Sequence, residues 1–122
     1  MGRWSDWAPL YNSDGSPLKP SQIPFEGPAA YVIAASRGRG DKHTLYVGHT
    51  GDVRYRLYSH GRGEANTWKA LENLRDNGFN IFYSIHSTDT VWAAKRLEEN
   101  TQSEWWLYML NILGNPTKKT TG

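Results

Sequence analysis

Between Tyr31 and His60 the chain changes its hydrophobic period from that of a strand to that of a helix, and this switch restricts the fold more than any other feature. Ala30 to Ala35 is a short run of small, β-branched and aromatic residues that ends at Ser36 and a Gly-rich break. Thr44-Leu45-Tyr46-Val47 repeats that character and stops at Gly48. A connection of about eight residues with two glycines suits a hairpin with a longer loop. After Gly48 the pattern turns helical: Asp52 suits an N-cap, Val53 and Leu57 are four apart, and Gly61 suits a C-terminal stop. Arg56 and His60 are also four apart and share one face of that helix. Two tyrosines on paired strands, beside a cation and an imidazole, form a candidate site.

With 122 residues the chain is expected to make one domain. Six Trp, seven Tyr and three Phe supply material for a core and argue against disorder. The lack of cysteine excludes a disulfide framework, a thiolate metal site and a cysteine nucleophile. His43, His49, His60 and His86 are scattered, without the spacing of a zinc site. No apolar run approaches the roughly 18 residues of a membrane span, and the N-terminus lacks a signal-peptide pattern, so a cytoplasmic, soluble protein without a membrane partner is expected. The net charge of +2 is too small to argue for nucleic acid alone. Its distribution says more: Arg37, Arg39, Lys42, Arg54, Arg56 and Arg62 fall within 26 residues, against only Asp41 and Asp52. Such a cluster reads either as a solvated basic surface or as a positive rim around a phosphodiester site.

Residues 1–27 form a Pro- and Trp-rich arm, with turn chemistry at Asn12-Ser13-Asp14-Gly15-Ser16. Trp4, Trp7, Leu10 and Tyr11 are expected to pack the arm onto the domain, with base stacking as the alternative. A second helix is expected from about Thr67 to Asp76, with Trp68, Leu71, Leu74 and Arg75 on one buried face. Phe79 to His86 alternates as a third strand, with Phe79, Ile81, Tyr83 and Ile85 on its buried side. A last helix is expected from about Thr90 to Leu113, with cap candidates in Ser87-Thr88-Asp89. At one hundred degrees per residue, Ala94, Leu97, Thr101, Trp105, Tyr108 and Ile112 make its inward stripe. Glu104 lies inside that stripe, Glu98 at its edge, and Glu99 points away. A carboxylate on a core-facing stripe is costly without a partner or a metal, which singles out Glu104. Residues 117–122 read as a flexible tail.

The same residues resemble the GIY-YIG nuclease family. Ala30-Tyr31-Val32 stands for the first signature tripeptide, with alanine in place of its glycine, and Tyr46-Val47-Gly48 closely copies the second. Arg56 falls eight residues after that glycine and His60 four further on, as in the family. The resemblance covers residues 28–116. It implies an α+β fold with a small three-stranded antiparallel sheet flanked by helices, in the order β-β-α-α-β-α. It also implies a catalytic set of Tyr31, Tyr46, Arg56, His60 and Glu104, with Gly48 and Asn115 as further family positions. Glu98, preceded by Ala94 and Leu97, is the alternative match for the glutamate.

The chemistry of these groups agrees with that implication. Phosphodiester hydrolysis needs an activated water, charge stabilisation at the phosphoryl oxygens and help for the leaving oxygen. One carboxylate, Glu104 or alternatively Glu98, can hold a single Mg²⁺ or Mn²⁺ whose other positions are filled by water and phosphate. Arg56 can fork onto a phosphate oxygen. Tyr31, Tyr46 or His60 can supply the base, and the sequence does not choose among them. Arg37, Arg39, Lys42, Arg54 and Arg62 are the expected nucleic-acid contacts. The expected function is thus a metal-dependent endonuclease acting on DNA, with target choice left to the arm, the basic loop, a second subunit in a homodimer or a partner protein. The alternatives are a binding module on the same fold without cleavage, and a structural or interaction domain built on the aromatic core.

Overall fold

The structure, a computed structural model, describes residues 3–38, 41–63 and 68–100. The order is β1 (Ala8–Pro9), β2 (Ala29–Arg37), β3 (His43–Thr50), α1 (Val53–Gly61), α2 (Trp68–Asp76) and β4 (Phe79–Ser87), followed by a helical stretch, α3, at 91–100. The strands form one antiparallel sheet in the order β1-β4-β2-β3. The fold is therefore α+β. The sheet has four strands where three were expected, because the N-terminal arm contributes the short β1.

β2 is central and is buried from Ala29 through Ser36. A strand covered on both faces is expected to be a continuous apolar run, and AAYVIAAS is one. Register divides its side chains: Tyr31, Ile33 and Ala35 stand beside Ile85, Tyr83 and Ile81 of β4 on one face, and Ala30 and Val32 beside His86 and Ser84 on the other. Leu57 of α1 and Leu71 and Leu74 of α2 join the buried cluster that contains Tyr31, Ile33 and Tyr83. Arg75, expected on the buried face of α2, is instead exposed and lies over the Tyr11 ring.

The arm closes the β4 edge. The Ser5 amide donates to the Ile85 carbonyl and the Leu10 amide to that of Ile81. Ser84 Oγ donates to the Ser5 carbonyl at 2.6 Å. Leu10 and Ile23 are fully buried, Trp4 packs edge-on against His86, and Trp7 stays 40 % exposed. Burial of two such aliphatic side chains is worth about 1.5–3 kcal/mol each, so the arm is part of the core.

Capping sets the helix ends. Asp52 is the N-cap of α1 and its carboxylate accepts from the Tyr55 amide. The C-cap is Arg62, one residue past the expected stop, and Gly63 takes the positive φ that follows it. Thr90, one residue beyond the expected cap candidates, accepts from the Ala93 amide through its hydroxyl and starts α3. Within α3, Ala94 is buried, Leu97 and Glu98 are half-buried and Glu99 is exposed, as the stripe requires. The expected continuation to Leu113, with Glu104 and Asn115, and the tail lie outside the described residues. No helix among the described residues is long and apolar enough to cross a membrane.

Candidate active site

Three elements bring four of the expected residues together. Tyr31 on β2 and Tyr46 on β3 point to the sheet face that α1 covers, and α1 presents Arg56 and His60 one turn apart. The hydroxyl of Tyr31 meets His60 Nε2 at 2.8 Å, and Arg56 Nε donates to the same hydroxyl at 3.3 Å. The rings of Tyr31, Tyr46 and His60 are in mutual contact, with centroid separations of 6.1 Å for the tyrosines, 5.4 Å for Tyr31 with His60 and 5.2 Å for Tyr46 with His60. Tyr46 also interacts with Tyr31 and Arg56 through its phenol oxygen.

Gly48 makes this packing possible. A Cβ at that position would stand 2.5 Å from both Cζ and Oη of Tyr31. The phenol thus occupies the space that any other residue would need for its own side chain. Gly48 lies directly opposite Tyr31 in the β2–β3 register, which explains why the second tripeptide must end in glycine here.

The cluster is layered. Tyr31 is 0 % exposed and His60 1 % exposed, whereas Tyr46 and Arg56 are only half-buried. Burial pushes the Tyr31 phenol above the ordinary tyrosine range, with the Tyr46 oxygen adding to the shift and Arg56 opposing it. Burial, reinforced by the Arg56 charge, brings His60 down to about 3. The hydrogen bond to Tyr31 raises Arg56 further still. Around neutrality the inner pair is therefore a neutral phenol against a neutral imidazole, with the one formal charge held by Arg56 in front of them.

The carboxylates are placed differently. Glu98 accepts a 2.5 Å contact from His49 Nδ1, with the two side chains 18 % and 33 % exposed. His49 follows Gly48 on β3, so alternation turns it to the sheet face away from Tyr31. Glu98, the alternative metal ligand, is thus engaged on the opposite side of the sheet from the tyrosine cluster. Nothing in the sequence signals this partnership, because the two residues are 49 positions apart. Glu104, the first choice, and Asn115 lie outside the described residues. Among the described residues no three His, Cys, Asp or Glu side chains gather as a metal-binding group.

The basic residues separate into three places. Arg37 and Lys42 lie at the far end of the β2–β3 hairpin, stacked over Phe79 and Phe82 at 4.6 and 4.5 Å. Six residues of strand, about 20 Å at 3.3 Å each, part Arg37 from Tyr31. Arg54 donates through Nε to the carbonyls of Ile23 and Phe25 at 2.9 and 3.0 Å, fastening the arm to α1. Arg62 lies over the Tyr58 ring at 4.4 Å beside the end of α1. Arg39 is outside the described residues. The expected continuous rim is therefore broken among the described residues: Arg56 stands at the tyrosine cluster, Arg62 on Tyr58 at the end of α1, Arg54 at the arm, and Arg37 and Lys42 at the hairpin tip.

Compared with protein-family models, with curated proteins and with solved structures, the chain matches none.

Proposed function

We propose that this protein is a metal-dependent endonuclease of GIY-YIG type that hydrolyses DNA phosphodiester bonds. The observation that carries the reading is the convergence of Tyr31, Tyr46, Arg56 and His60, spread over 30 residues of sequence, into one hydrogen-bonded cluster with Gly48 shaped to admit the Tyr31 phenol. A structural core does not require an arginine between two phenols and a buried imidazole, since each buried polar group costs stability unless satisfied.

Roles follow from position. Substrate phosphate would meet the half-buried pair, with the Arg56 guanidinium forked onto a non-bridging oxygen as charge develops there. The attacking water would give its proton to the Tyr46 oxygen, the one solvent can reach, once that phenol has released its own proton to solvent beside the Arg56 cation. Tyr31 holds its proton too tightly and His60 accepts one too reluctantly to be the base. They are positioning residues, which hold Tyr46 and Arg56 in place. A divalent cation, Mg²⁺ or Mn²⁺, when bound, would neutralise charge on the phosphoryl group and the departing 3′ oxygen. Glu104 is the residue assigned to hold it, and Glu98 would first have to leave His49.

The test is conversion of supercoiled plasmid to nicked or linear form with Mg²⁺, with Mn²⁺ and with EDTA. Metal-dependent conversion supports the endonuclease. An intact plasmid that is nevertheless retarded at low salt would favour a binding module on the same fold.

A further inference from the structure

The outer side of α1 carries a feature that catalysis does not use. Tyr55, Tyr58 and Arg62 follow at intervals of three and four residues and line the helix opposite to Arg56 and His60. The Tyr55 and Tyr58 rings meet at 6.4 Å, and the Arg62 guanidinium lies over Tyr58 at 4.4 Å while donating to its hydroxyl at 3.3 Å. Tyr55 is 54 % exposed, an unusual position for a large ring on a helix with an available core. Beyond Arg62 lies an open cavity of about 380 Å³, whose walls include Tyr11, His60, Arg62, Glu72 and Arg75. Also in its wall, Arg75 lies over the Tyr11 ring at 3.6 Å and is held there by a 2.8 Å hydrogen bond to the Gly15 carbonyl.

These contacts run from ring to ring, with 61° between the planes, to the Arg62 guanidinium, and then to a cavity whose wall holds a second guanidinium over a ring. We propose that this track binds an unpaired DNA strand by stacking, with one base seated in the cavity between Arg62 and Arg75. Aromatic rings and guanidinium planes stack on any base, and the two cations attract the strand's phosphates. The Glu72 carboxylate at the cavity wall supplies an acceptor for a base N–H. His60 stands in the wall of this cavity and bonds Tyr31, so the cavity backs onto the tyrosine cluster. The inference rests on the nuclease reading for its biological sense, but the binding it describes does not depend on cleavage.

The experiment is equilibrium binding in EDTA, where no cleavage occurs, using a fluorescent oligo(dT) strand and a duplex of equal length. Wild type, Tyr55→Ala and Tyr58→Leu are compared. The track requires wild type to prefer the single strand. It also requires each substitution to weaken single-strand binding by about tenfold, as loss of one stacked base does, with duplex binding altered less than twofold. Circular dichroism and the melting temperature of each variant confirm that it is folded. Equal affinity for single strand and duplex, or folded variants that bind the single strand as wild type does, would overturn the proposal. If the plasmid stays intact while the single-strand preference holds, the track survives and the endonuclease reading fails.

Discussion

The phenol of Tyr31 fills the space above Gly48 where a side chain would otherwise begin, within 2.5 Å of the position a Cβ would take. This contact joins the two motif strands at the point where the site is built. Tyr31 is fully buried, so its ring cannot swing away as an exposed side chain could. Gly48→Ala should therefore destabilise the protein by about 1–3 kcal/mol, the usual cost of overpacking. It should also abolish activity by displacing the hydroxyl from His60 and Arg56. Thermal denaturation and the plasmid assay measure the two effects, and an alanine variant with unchanged melting temperature would contradict the contact.

Buried groups predict how stability varies with pH. His60 is lowered from 6.5 to about 3 in the folded state, so the unfolded chain binds more protons between these values. Its contribution is complete above about pH 6.5 and declines as pH falls, by up to about 1.4 kcal/mol per unit. Tyr31 is raised above 10, so its contribution is complete below pH 10 and declines as pH climbs beyond it. Urea titrations should show a plateau between these limits. His60→Gln should flatten the acid limb relative to wild type, and an unchanged slope would show that His60 is not the group responsible.

Removing the Tyr31 hydroxyl alone separates packing from hydrogen bonding. Tyr31→Phe keeps the ring over Gly48 but leaves His60 Nε2 and Arg56 Nε without the oxygen they share. A loss of about 1–3 kcal/mol is expected from the stranded buried partner. The pH at which the remaining activity is half-maximal should also shift, since Arg56 and Tyr46 lose their common contact. A variant that matches wild type in both stability and pH profile would reduce the bond to incidental proximity.

The arm offers an independent check on the fold. Leu10 is fully buried between the sheet edge and the Pro17 region, and its amide bonds to the Ile81 carbonyl. Leu10→Ala should cost about 2–5 kcal/mol. The amides of Ser5 and Leu10 should exchange with solvent as slowly as those of β4. Rapid exchange at both would show that β1 is not part of the cooperative unit.

Much of this was legible from the sequence, and for identifiable reasons. The period change between Val47 and Val53, the Asp52 cap and the alternation through Ile81, Tyr83 and Ile85 are local signals, and each produced the element it predicted. The shared face of Arg56 and His60 followed from spacing alone. Where expectation and structure part, the cause is tertiary. β1 exists only because the arm finds the β4 edge, a pairing of Ala8 with Tyr83 that no local pattern announces. The basic residues looked like one group because they are close in sequence, but a hairpin sends Arg37 and Tyr31 to opposite ends of a strand, and Arg54 turns to the arm. Glu98 is taken by His49 through contact across the chain, and sequence spacing is blind to that.

Plasmid cleavage by variants of the cluster and of the two glutamates tests the nuclease site most directly. Wild type would be run with Mg²⁺ beside Arg56→Ala, Tyr46→Phe, Glu104→Ala and Glu98→Ala. Wild type should cleave, and Arg56→Ala, Tyr46→Phe and Glu104→Ala should each lose at least about a hundredfold, the scale of a lost electrostatic or acid–base group. Glu98→Ala should retain cleavage. Cleavage that persists in folded Arg56→Ala and Tyr46→Phe proteins would contradict the assignment of the site.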